Sequence, residues 1–223
     1  MCLSARSIVA IHSLTLFAML ASHPAVHAGA QQFVSPQFAQ LSANHRTIAI
    51  LPFRVTIAAK NLPKHTTPEM VEKMQSDEAL EFQRQMYARF LSRAATDGYR
   101  VEFQDIDQTN TLLLRAGISM DSLGAHTKDE VARALGVDAL VSGSIRMSKP
   151  TSTGAAFAQT LLLGFSGSTE RVDINMTLHD GANASLLWSY DHTDKGGMAN
   201  SSEAMAKSLF KKVAGNFPYR LKK

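Results

Sequence analysis

The residues best suited to chemistry are few and widely spaced. Beyond residue 28 the histidines are His45, His65, His126, His179 and His192. None stands in the HExxH spacing that brings two imidazoles to one face of a helix. His179 and Asp180 are adjacent, as are Asp191 and His192. Adjacency alone supports a turn or surface role, because metal selection needs several converging donors. No metal ligand is assigned. Asp105 and Asp107, with Asp121 and Asp138 further on, could gather where a parallel sheet collects ligands beyond its strand ends. Aspartates are equally ordinary helix caps and loop residues.

The remaining catalytic patterns are missing. GFSGS at 164–168 lacks the strand-then-helix context of a nucleophile elbow. There is no GxxxxGK[ST] and no GxGxxG. The single cysteine is Cys2, so residues 29–223 contain no thiol. A reaction needs an activated nucleophile or a positioned acid–base pair. The expectation is a protein that is not an enzyme and holds no cofactor.

Residues 1–28 read as a secretory signal. Arg6 is the one charged side chain there, an apolar run follows from Ile8 to Ala21, and Val26-His27-Ala28 places small residues at the cleavage positions. The run falls short of the ~20 residues that cross a bilayer. Cleavage after Ala28 would send a disulfide-free chain to the periplasm. Cys2 precedes the apolar run and is not placed to carry a lipid. With 23 basic against 19 acidic residues, the charge excess says little about partners. No basic stripe is interleaved with aromatics, so no nucleic acid is expected.

The elements follow from periodicity. Residues 29–46 are rich in Gln, Ala and Ser and read as a flexible arm. Thr47–Phe53 is a short apolar strand in which Pro52 marks a bulge or an end. Residues 58–68 are a linker. A helix is expected from about Glu69 to Ala95, with Ala79, Phe82, Met86 and Phe90 on one face and Leu80, Tyr87, Leu91 and Ala94 widening it. Tyr99–Phe103 alternates like a strand, and a short helix is expected over Thr109–Arg115. Thr127 and Glu130 make a capping box for a helix that Gly136 ends. Val137–Met147 is a strand with Gly143 small enough for another element to approach. Val172, Ile174, Met176 and Leu178 alternate against Arg171, Asp173, Asn175 and Thr177. After Asp180-Gly181 a strand returns with Leu186, Trp188 and Tyr190 inward. A last helix begins near Ser201 or Ser202 and buries Met205, Leu209 and Val213. Residues 218–223 form a basic tail.

This order predicts one α/β domain over residues 47–217, of three layers or two, with flanking helices. Its mixed sheet would have about five strands, parallel early and antiparallel late. The polar side of the hairpin should face water or a partner.

Residues 150–169, PTSTGAAFAQTLLLGFSGST, do not fit a connection between strands, which is normally a few residues long. Three readings stand: Phe157, Leu161, Leu162, Leu163 and Phe165 pack over the core, meet a partner subunit, or enter a membrane.

TIAILPF, TLLLRAGI (111–118), TKDEVARALGVDALVSGSI (127–145), RVDINMTLHDG (171–181) and LLWSYDHTDKG (186–196) together resemble one α/β domain. It is shared by the curli secretion-channel lipoprotein family, the lipoprotein activators of penicillin-binding proteins and the N-terminal domain of the Tol-system β-propeller protein. The resemblance spans residues 47–217. It implies an envelope protein without an active site, engaged with a protein partner or with copies of itself. The acylated cysteine of those lipoproteins has no counterpart here. The expected function is a periplasmic adaptor or assembly factor, binding through Arg171, Asp173 and Asn175 or through 150–169. The alternative is an oligomeric pore or transport subunit at the outer membrane, with peripheral membrane contact.

Overall fold

A computed structural model describes residues 31–58, 65–96, 98–150, 169–195, 202–213 and 215–221. The signal segment, Phe157, Leu161, Leu162, Leu163 and Phe165 lie outside the described residues, as do the side chains of Arg171 and Met205.

The described strands are β1 (Gln31–Val34), β2 (Thr47–Ile50), β3 (Arg54–Ile57), β4 (Glu102–Phe103), β5 (Ala139–Pro150), β6 (Thr169–Asp180) and β7 (Leu186–Lys195). The described helices are α1 (Phe38–Leu41), α2 (Pro68–Thr96), α3 (Ile106–Arg115), α4 (Lys128–Leu135) and α5 (Ser202–Val213), with a 3-10 turn at Ser122–Ala125. The strands form one mixed sheet in the order β1-β7-β6-β5-β2-β4, with β3 also paired to β5. β2 runs parallel to β4 and β5, and β5, β6 and β7 are antiparallel. The expected α/β class and the early-parallel, late-antiparallel division both hold.

The sheet has seven strands rather than about five, and the additions are β1 and β3. β1 is an edge strand whose four residues are all exposed, so no burial alternation marks it. The stretch read as a flexible arm is structured. β1 pairs with β7 from Gln31↔Asp191 to Val34↔Trp188, and Phe38 of α1 meets the Tyr219 ring edge-on at 5.3 Å. The supposed basic tail is anchored as well: Tyr219 is fully buried and Tyr99 bridges to Arg220.

Pro52 decides how β2 and β3 share β5. Without an N–H it cannot continue the ladder. Pairing stops at Leu51 N–H, which donates to the Val141 carbonyl (2.8 Å), and resumes at Arg54↔Ser144. One extra residue is thereby looped out opposite β5, a bulge that reverses the side-chain phase. Ile48 and Ile50 face the main core before it; Phe53, Val55 and Ile57 do so after it. Arg54 and Thr56 are turned to the other face, where they are exposed. Gly143 accepts the Phe53 ring where a Cβ would collide with it and with the Asn175 carbonyl oxygen.

Two cores flank the sheet. On one face α2 (Phe82, Met86, Phe90) and α5 (Leu209, Val213) cover β5, β6 and β7 together with Trp188, Phe217 and Tyr219. On the other, α3 and α4 bring Leu113, Val131, Ala132 and Leu135 over Ala49, Leu51 and Leu140. The molecule is three layers deep over β2 and the start of β5. Beyond that lid it is two layers deep.

Local signals explain the helix ends. Thr127 accepts from Glu130 N–H while Glu130 accepts from Thr127 N–H, and Gly136 closes α4 at φ 66°. α3 starts earlier than its apolar pattern suggests, because Asp105 caps it by accepting from Asp107 N–H and Gln108 N–H. Two edges of the expected pattern shift. Leu80 and Leu91 on α2 are exposed, since the helix touches the core along a narrower stripe. Leu186 is also exposed and Leu187 buried, because a bulge between Leu178 and His179 inserts Leu187 into the inward row.

Candidate functional site

The polar sides of β5, β6 and β7 occupy the sheet face that α3 and α4 leave open. Asp173, Asn175 and Thr177 of β6 are half-buried there, opposite the fully inward Val172, Ile174, Met176 and Leu178. They are held by cross-strand bonds. Thr193 donates to Asp173 Oδ1 (2.7 Å), Asn175 Nδ2 donates to Asp191 Oδ1 (2.8 Å), and the Ser142 and Thr177 hydroxyls lie 2.9 Å apart. Such pairs fix the rotamers of a face before anything docks on it.

Next to this face, along the break made by Pro52, runs a cleft of about 650 Å³. Its floor is Ser142, Gly143 and Ser144 of β5 with Asn175, Thr177 and His179 of β6. One wall is Arg54 and Thr56 of β3. The opposite wall comes from Met120, Leu123 and Gly124, and from Lys128 at the start of α4. Glu72, Gln75 and Ser76 of α2 and Asp121 complete its lining.

Three basic side chains line this space. The Arg54 guanidinium lies against the Gly124 backbone, where a Cβ would displace it. Lys128 is half-buried, and its ammonium pKa is lowered by burial first and by Arg54 second. His179 is lowered to about 4 by burial, then by Lys128. It is therefore neutral near pH 7, and its Nδ1 is buried with no hydrogen-bond partner. Among the described residues no ion pair engages Arg54 or Lys128. The arrangement can hold and orient a polar ligand. In its floor the Ser142 and Thr177 hydroxyls bond to each other.

The other sequence candidates do not converge. The two histidine–aspartate pairs go separate ways. Asp180 pairs with His45 (2.9 Å), Asp191 accepts from Asn175, and His192 Nε2 accepts from Lys212 Nζ (2.6 Å). Asp105 caps α3, and Asp138 accepts from Arg46 N–H and Thr47 N–H. Asp121 alone of that group reaches the cleft. Among the described residues no three His, Cys, Asp or Glu side chains could hold one metal ion, and no helix is long and apolar enough to cross a membrane.

No protein-family model and no curated protein matches the sequence. Solved structures show partial likeness. PelC from Paraburkholderia phytofirmans, a dodecamer, shares 17% identity at a TM-score of 0.44, covering 87% of this chain and 98% of that one. Lipoprotein GNA1162 from Neisseria meningitidis shares 14% at 0.41, covering 77% and 96%. The LpoB C-terminal domain from Salmonella enterica shares 14% at 0.36, covering 72% and 93%. At such identities and overlaps each is a similarity and nothing more.

Sequence reading placed Asp173 and Asn175 on the open face and missed Arg54, Lys128 and His179 as a group. Arg54 sits 125 residues before His179 in the chain. The one local clue was Pro52, whose bulge sends Arg54 outward.

Proposed function

We propose that this protein is a non-catalytic, exported binding module of the cell envelope, which engages a protein partner through the open face of β6 and β7. One observation carries the reading. Among the described residues, α2 and α5 cover the core of the sheet on one side, whereas on the other α3 and α4 cover one end, leaving a polar ladder of Asp173, Asn175, Asp191 and Thr193. A prearranged polar face lowers the ordering cost of association. The signal-like first 28 residues support export to the periplasm.

A photo-crosslinking amino acid installed at Thr193, and separately at the exposed Leu114 on α3, tests this in cells. The expected result is one defined protein adduct from Thr193 and none from Leu114. Fractionation should recover the chain in the periplasm with an N-terminus near residue 29. Adducts at both positions, at neither, or a cytosolic full-length chain would end the proposal.

A further inference from the structure

We infer that the cleft beside Pro52 binds a sugar acid, a hydroxylated ligand bearing one carboxylate, whose anionic group is held between Arg54 and Lys128. The inference concerns a small ligand in the cleft, which shares Asn175 with the ladder of the proposed partner face but is otherwise separate from it.

Charge is the first argument. Arg54 and Lys128 come from β3 and α4, elements that approach only because the Pro52 bulge turns Arg54 outward. The Lys128 ammonium is disfavoured by burial and then by Arg54, and neither cation has an ion pair among the described residues. An anion between them removes that repulsion. The guanidinium is already placed by its contact with Gly124, so little rotamer freedom is lost on binding.

The remaining lining selects the rest of the ligand. Ser144 and Thr177 present hydroxyls, Asn175 keeps its amide oxygen while its nitrogen serves Asp191, and His179 brings a buried, unpartnered Nδ1. Donors and acceptors mixed in this way suit ligand hydroxyls, which need both. Glu72 and Asp121 can accept from further hydroxyls and oppose a second negative charge. Met120 and Leu123 offer apolar surface to the C–H face of a ring. The volume of about 650 Å³ falls within the range of small-molecule sites.

The test is calorimetric titration of protein purified after expression of the full chain with D-glucuronate, D-glucose 6-phosphate and D-glucose, with the His179 ring followed by NMR. Glucuronate should bind with a dissociation constant below about 10 mM, and glucose about tenfold more weakly or not at all. Arg54→Gln and Lys128→Gln, confirmed as folded by circular dichroism, should each weaken glucuronate by about tenfold. In the unsubstituted protein glucuronate should shift the His179 ring signals and leave His65 unmoved, a readout that needs no variant. No binding of glucuronate, equal binding of glucose, an unmoved His179, or unchanged affinity in the double variant would each overturn the assignment. Tighter binding of glucose 6-phosphate would overturn the carboxylate in favour of a phosphate.

Discussion

His45 Nε2 lies 2.9 Å from Asp180 Oδ1, with side chains only 6% and 3% exposed, joining the approach to β2 to the end of β6. The Tyr219 hydroxyl is 2.5 Å from the other ring nitrogen. The arrangement that satisfies all three has Nε2–H donating to the carboxylate and Nδ1 accepting from the phenol. Asp180 Oδ2 also accepts from Ala182 N–H and Asn183 N–H, so one carboxylate closes the β6–β7 turn and ties down both chain ends.

Removing parts of this junction should cost unequal amounts. Tyr219→Phe strands one buried acceptor and should lower stability by roughly 1–3 kcal/mol. Asp180→Ala loses the turn and the histidine together and should cost more than Asp180→Asn, which keeps an oxygen for the turn. Urea midpoints read the order directly. Equal stability of Tyr219→Phe and the parent would mean that the junction contributes nothing.

Alkali should loosen the same junction. Burial chiefly holds the Tyr219 phenol in its protonated form well above its ordinary range, and Tyr87 and Tyr190 are raised in the same direction by burial. The unfolded chain releases these protons from about pH 10 upward, while the folded chain retains them. Stability is therefore complete below that pH and falls as pH rises beyond it. Urea midpoints measured from pH 8 to pH 11 should decline, less so in Tyr219→Phe. A flat profile contradicts the burial.

Acid should act through His179, whose folded pKa of about 4 lies below the ordinary 6.5. Between those values the unfolded chain binds a proton that the folded chain refuses, so the stabilisation is whole above pH 6.5 and is lost as pH falls towards 4. Lys128 and Arg54 face this imidazole across the cleft, with Glu72 and Asp121 as the acids of the lining. An NMR titration of the ring should show its midpoint far below that of free histidine. Coincident midpoints would remove the desolvated cleft.

Much of this was written in the chain and some was not. Thr127 and Glu130 act within one turn and Gly136 acts on the last turn of the same short helix, so α4 was readable with its caps. The alternation of β6 was equally plain, and with it the open polar face carrying Asp173 and Asn175. β1 escaped notice because an exposed edge strand is specified by its neighbour β7, not by its own periodicity. Gln83 shows the same limit. It sits on the apolar side of α2, where its Nε2 donates to the Ile50 carbonyl (2.7 Å) and its amide pairs with Asn110, a need created by the break after β2. The cleft cations were hidden for a like reason, since their meeting depends on a phase change in one strand.

Gly143 should tolerate no side chain. Gly143→Ala places a Cβ 2.5 Å from the Asn175 carbonyl oxygen and into the Phe53 ring. Overpacking of this kind costs about 1–3 kcal/mol. Adding Phe53→Leu should recover only part of the loss, because the carbonyl stays. Full recovery in the double variant, read by thermal melting, would show that the backbone contact is harmless.

The looped-out residue at Pro52 makes the first long strand a splice of two half-strands with opposite orientation. Pairing that residue into an unbroken ladder would keep composition and hydrophobicity intact, yet would roll Phe53 out to water and drive Arg54 into oil. The place where the ladder skips a residue is thus as much a determinant of what the surface offers as the identity of any side chain there.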